Sequence, residues 1–117
     1  MAARVRYRPE FIEDFDRHRN FLVRQIAFSP EERLRRLDDL HSAIGQVERQ
    51  LSRFPERGTP LRQDDRYALR HWPLPDGLPY LVQYIHRRGR PVRDVWLARL
   101  WHYSQQRAEP DLSDWPS

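Results

Sequence analysis

The chain has 117 residues and a formal net charge of +4 from 21 basic and 17 acidic side chains, a size that suits one domain able to bury roughly two-thirds of its unfolded surface. It has no cysteine, which excludes disulfides and thiolate metal sites, and all its basic residues are arginine, so no lysine can serve as acid, base or Schiff-base former. No apolar stretch approaches the roughly 20 residues of a membrane span, and the opening MAARVRYRPEF has no apolar signal region, so the expected setting is cytosol, away from membranes.

In chain order, ARVRYR (3–8) alternates Val5 and Tyr7 on one face and predicts a first strand. Pro9 suits a first helical position, and Glu10, Glu13 and Asp14 favour the positive end of a helix dipole. Phe11, Ile12, Phe15, Leu22 and Ile26 form the apolar stripe of a helix expected to run to about Ala27. SPEE (29–32) is a start signal: Ser29 can cap, Pro30 fits the first helical position, and Glu32 completes a capping box. Leu34, Leu37, Leu40, His41, Ile44, Val47, Leu51 and Phe54 follow at three- and four-residue steps, the strongest helical pattern in the chain. Pro55, Gly58 and Pro60 in FPERGTP (54–60) end it.

The second half reads as strands. RYALRHW (66–72), YLVQYIHR (80–87) and VRDVWLARLWHY (92–103) are separated by turns at PLPDGLP (73–79) and RGRP (88–91). The last strand is apolar on both faces and is expected to be central or well covered. The expected class is α+β: an N-terminal strand, a helical hairpin, then an antiparallel three-strand meander covered on one face by the helices. Residues 1–107 form the expected domain, and 108–117 an acidic, loosely ordered tail.

Charge follows this division. Residues 1–56 hold 11 arginines and 10 acids, residues 57–107 hold 10 arginines and 4 acids, and residues 108–117 hold 3 acids and no arginine. The basic excess therefore sits in the strand-rich half, where it attracts nucleic acid or an acidic protein.

The order of elements, the FPERG exit with Pro55 and Gly58, Arg70 in YALRHW, PYLVQY with Pro79, Tyr80, Leu81 and Tyr84, and WLARLWH with Arg99 and His102 together resemble the RelE/ParE family. These are the toxin halves of bacterial toxin–antitoxin pairs. The likeness spans about residues 4–107 and is closer to the ParE branch. It implies a RelE/ParE-like sandwich, a toxin that inhibits DNA gyrase by binding, and neutralisation by a cognate antitoxin in a hetero-oligomer. The RelE branch implies an enzyme instead, a ribosome-dependent mRNA endonuclease. A third possibility is a binding module of the same fold without toxicity. The turn 73–79 and the segment 104–117 with Trp115 exceed a minimal member.

RNA cleavage at the 2′-hydroxyl needs a base, an acid and cations around the phosphorane. His102 could be acid or base, Arg70 and Arg99 could hold phosphate, and Tyr103 could donate a proton or stack on a base. Strand alternation opposes this, since His102 and Arg99 should point to opposite faces. Tyr80, Tyr84, Trp96, Trp101 and Tyr103 are read first as core and cross-strand residues and second as stacking platforms. Arg87, Arg88, Arg90 and Arg93 in HRRGRPVR form the densest cationic stretch; with Trp72 they are the candidate residues for target or antitoxin contact. His41 is read as near-core, His18 as surface. No zinc-ligand spacing is present, so neither metal nor cofactor is expected.

Overall fold

A computed structural model of the chain describes residues 2–105. The elements are β1 (Arg4–Tyr7), α1 (Pro9–Val23), α2 (Pro30–Arg53), β2 (Thr59–Gln63), β3 (Tyr67–Pro73), β4 (Tyr80–Arg87) and β5 (Asp94–His102). The chain is α+β, with two helices on one face of a five-stranded mixed sheet of order β1-β5-β4-β3-β2. β2 to β5 pair antiparallel in sequence order, and β1 joins β5 in parallel.

The sheet therefore corrects the expected three-strand meander. TPLRQ (59–63) pairs with β3 as a fourth antiparallel strand. Its two prolines-and-glycine neighbourhood reads as a breaker, and it carries no alternation because all five residues are exposed at the sheet edge. Pro60 and the register shift between Pro60 and Arg62 are tolerated there, since an edge strand can miss ladder hydrogen bonds.

The helices start where their caps predict. Ser29 accepts the Glu32 N–H at 3.2 Å, and Pro9 and Pro30 occupy first-turn positions. α1 ends at Val23 rather than near Ala27, because the chain turns at residues 24–28 to reach the Ser29 cap; Ile26 lies in that turn, 94% exposed. Leu34 and Phe54 also fall outside the core.

Phe11 and Leu22 of α1 and Leu40, Ala43, Val47 and Leu51 of α2 pack on Val82, Tyr84, Val95, Leu97 and Leu100. Leu97 and Leu100, three residues apart, share that face because of a bulge: Tyr84 pairs with Leu97 and Gln83 with Arg99, which leaves Ala98 extra. Ala98 joins Leu69, Ile85 and Tyr67 in a second cluster on the opposite face. No helix among the described residues is long and apolar enough to cross a membrane.

Candidate functional site

The end of β5 meets α1 through a buried carboxylate. Arg99 donates from Nε to Asp14 Oδ2 at 2.7 Å and from Nη2 to Asp14 Oδ1 at 3.0 Å. The Leu100 N–H also donates to Asp14 Oδ2, at 3.0 Å, and Arg17 Nη1 reaches Oδ1 at 3.3 Å. One turn along α1, His18 Nε2 lies 3.0 Å from the Leu100 carbonyl and donates to it. Burial holds the His18 imidazole below its ordinary pKa, against the opposing effects of that carbonyl and of Asp14.

Arg99 and His102 stand on opposite faces of β5. The register pairs Arg99 with Gln83 and His102 with Tyr80. The Arg99 guanidinium also lies 4.1 Å from the Trp101 ring centroid, and Trp101 Nε1 donates to Gln83 Oε1 at 2.9 Å. His102 sits edge-on to Tyr80, with centroids 5.3 Å apart, and its Nδ1 accepts the Ser104 N–H at 3.1 Å. Tyr103 is half-exposed just past the strand end.

Arg70 belongs to another network, on the helix face of β3. It donates from Nη1 to the Gly58 carbonyl at 2.9 Å and from Nε to His86 Nε2 at 3.0 Å. His86 Nδ1 then donates to the Arg87 carbonyl at 2.8 Å, which fits the tautomer that the Arg70 contact requires. The Tyr84 hydroxyl donates to the Pro55 carbonyl at 2.9 Å and accepts the Gly58 N–H at 2.8 Å. Burial pushes the Tyr84 phenol up to about 12, and burial also lowers the His86 pKa. Of the residues that carried the resemblance, Pro55 and Gly58 of the FPERG exit are thus bonded to Tyr84 of PYLVQY, and Gly58 also to Arg70 of YALRHW.

Between α1, α2, the turn before β4 and the end of β5 lies a cavity of about 630 Å³. His18, Leu40 and Tyr80 are in its wall with His102, and Arg17, Arg35 and Arg36 lie around it. Arg35 and Arg36 both bond Glu32, and Arg36 covers the Phe28 ring. Arg87, Arg88, Arg90 and Arg93 are exposed at the β4–β5 connection, where Gly89 takes φ = 105°. Two of the four are tied locally: Arg88 to the Asp64 carbonyl at 2.8 Å and Arg90 to Glu56 at 3.3 Å. Trp72, a candidate for target or antitoxin contact, is partly buried against the helix-side core with Arg57 over its ring.

The structure brings together none of Arg70, Arg99 and His102 around one reacting point. It reveals instead polar residues that the sequence reading passed over. His18, read as surface, is buried, and His41, read as near-core, is exposed with its ring edge on Phe15. The signal was present: Phe11, Asp14, His18 and Leu22 follow at steps of three and four, so Asp14 and His18 occupy apolar-stripe positions. Among the described residues no cluster of three or more His, Asp or Glu is placed to hold a metal ion. Trp115 lies outside the described residues. No protein-family model matches this chain, and no curated protein is similar enough to it to count as a relative.

Proposed function

We propose that this protein is a toxin of the RelE/ParE kind, nearer ParE, which inhibits DNA gyrase by binding and is held neutral by a cognate antitoxin in the cytosol. The observation that carries the choice of a binder over a ribonuclease is how its candidate catalytic residues are engaged. Arg99 is committed to buried Asp14, Arg70 to Gly58 and His86, and His102 faces away from Arg99. A phosphorane needs its acid, base and cations within hydrogen-bond reach of one position. Here the cations instead hold the fold together.

The helical hairpin on one sheet face and the mutual bonding of Pro55, Gly58, Arg70 and Tyr84 support the family resemblance. The experiment is supercoiling by purified gyrase with the folded chain added, with and without the candidate antitoxin. Inhibition relieved by the antitoxin is the expected result, and His102→Ala should retain it. An mRNA endonuclease behaves oppositely: it leaves supercoiling untouched, cleaves mRNA on ribosomes, and loses on the order of 10²-fold or more activity with His102→Ala.

A further inference from the structure

The cavity between the two helices and the end of β5 has no part in the function proposed above, yet polar groups converge on it. Its volume of about 630 Å³ falls within the roughly 300–1,000 Å³ of small-molecule sites. Its wall holds two polar residues that are more than nine-tenths buried, His18 at 8% exposure and Tyr80 at 6%. The His18 Nε2–H is spent on the Leu100 carbonyl, so Nδ1 presents a lone pair. The Tyr80 ring makes T-shaped contacts with His18 and His102, with centroids 5.0 and 5.3 Å away, but its hydroxyl has no hydrogen-bond partner among the described residues. Among those residues Glu10 Oε2 is the one wholly enclosed side-chain polar atom without a partner. His18 Nδ1 and the Tyr80 hydroxyl, which also lack one, therefore reach open space, and the space that both residues line is this cavity. Polar groups this deep in a fold are ordinarily paired, and a ligand that replaces solvent at both atoms gains directed hydrogen bonds inside an apolar wall.

The lining selects the ligand. Leu22, Leu40, Leu78 and Phe28 make it largely apolar, and Phe21, 62% exposed, adds an aromatic face. Arg17, Arg35 and Arg36 line it as well. Each bonds a carboxylate through one nitrogen, which leaves further N–H donors on every guanidinium. Asp14 is matched by Arg99, and Glu32 and Asp39 offset only two of the three charges, so the lining keeps a cationic excess. Burial raises the Tyr80 pKa and the Arg36 charge opposes that rise, which puts this guanidinium near the free hydroxyl. A flat ring with an N–H donor suits His18 Nδ1 and the aromatic wall, and an attached anionic group suits the arginines.

We propose that this cavity binds a nucleoside monophosphate, its heterocycle hydrogen-bonded to His18 Nδ1 and the Tyr80 hydroxyl and its phosphate held at the arginine-lined edge. The proposal does not rest on the toxin reading, and its test needs neither gyrase nor ribosome.

The experiment is calorimetric titration of the full chain with the four ribonucleoside 5′-monophosphates, the matching nucleosides and inorganic phosphate. The expected result is saturable one-to-one binding of at least one monophosphate, at least about tenfold tighter than its nucleoside or phosphate alone. Tyr80→Phe keeps the ring and removes only the unpaired hydroxyl. It should leave the urea midpoint unchanged and weaken binding about threefold to tenfold. Arg36→Gln should weaken binding about tenfold or more, while Arg19→Gln, exposed on α1 away from the cavity lining, should leave it unchanged. Absence of saturable binding by all four monophosphates would overturn the proposal. So would equal affinity for the nucleoside or for phosphate alone, or full affinity in both Tyr80→Phe and Arg36→Gln, which would place the ligand elsewhere on the protein.

Discussion

Gly58 is where one missing methyl group decides local packing. Tyr84 is fully buried, and its hydroxyl bridges the Pro55 carbonyl and the Gly58 N–H. A Cβ at position 58 would fall 2.7 Å from Tyr84 Cε1 and 2.8 Å from the His71 carbonyl oxygen. Neither can retreat, since one belongs to a core ring and the other to the β3 backbone. Gly58→Ala should therefore destabilise the protein by about 1–3 kcal/mol through overpacking, read as a lower urea midpoint. Tyr84→Phe should cost about 1–3 kcal/mol by leaving the buried Gly58 N–H without its acceptor. An unchanged midpoint in both variants would remove this bridge from the account of stability. The glycine was legible in FPERG as a breaker. Its steric reason was not, because Tyr84 arrives from 26 residues further along the chain.

At the scale of elements, α1 serves the sheet as a substitute strand. β1 has four residues and covers only Asp94 to Leu97 of the nine in β5. The Arg8 N–H takes the Leu97 carbonyl, and beyond it Asp14 and His18 satisfy both backbone groups of Leu100. A sheet edge left with unpaired N–H and C=O groups is a template for unwanted pairing, and side chains from a helix remove that hazard. Asp14→Ala should strip the Arg99 guanidinium and the Leu100 N–H of their shared acceptor and cost about 3–5 kcal/mol. Amide hydrogen exchange gives the sharper check. Exchange at Leu100 should accelerate well beyond that at Val82 and Tyr84 in the sheet interior. A uniform increase at all three would mean that Asp14 supports global stability only. Asp14 and His18 could have been picked out as polar residues on the Phe11–Leu22 stripe, but no local pattern names Leu100 as their partner.

The whole molecule inherits a pH dependence from its two buried histidines, His18 and His86. Burial lowers both folded-state pKa values below the ordinary 6.5. Above that value both rings are neutral in either state, and the stability they allow is fully present. As pH falls below about 6.5 the unfolded chain binds protons first, so stability is lost until the folded-state values are passed. Urea midpoints should thus fall between pH 7.5 and 5.5, and His18→Gln with His86→Gln should flatten that slope. A slope unchanged in the double variant would place the dependence on other groups.

What the sequence by itself determined is local. The starts of both helices followed from Pro9 and from Ser29-Pro30-Glu31-Glu32, because a cap and the first turn lie within a few residues of each other. YLVQYIHR emerged as β4 with the expected bounds, because an apolar run between proline-rich and glycine-rich turns has one compact solution. The rest was decided by partners distant in the chain. β2 exists because β3 offers TPLRQ a ladder that its own pattern does not advertise. β1 runs parallel to β5 only through an alignment spanning about the length of the chain, from Arg4 to Asp94. The bulge at Ala98 sends Leu97 and Leu100 to one face and Arg99 to the other, which a strict two-residue period cannot express. The commitment of Arg70 and Arg99 was likewise tertiary. An arginine's charge is written in the sequence, but whether that charge meets a phosphate or a buried carboxylate depends on which side chain folding brings within 3 Å.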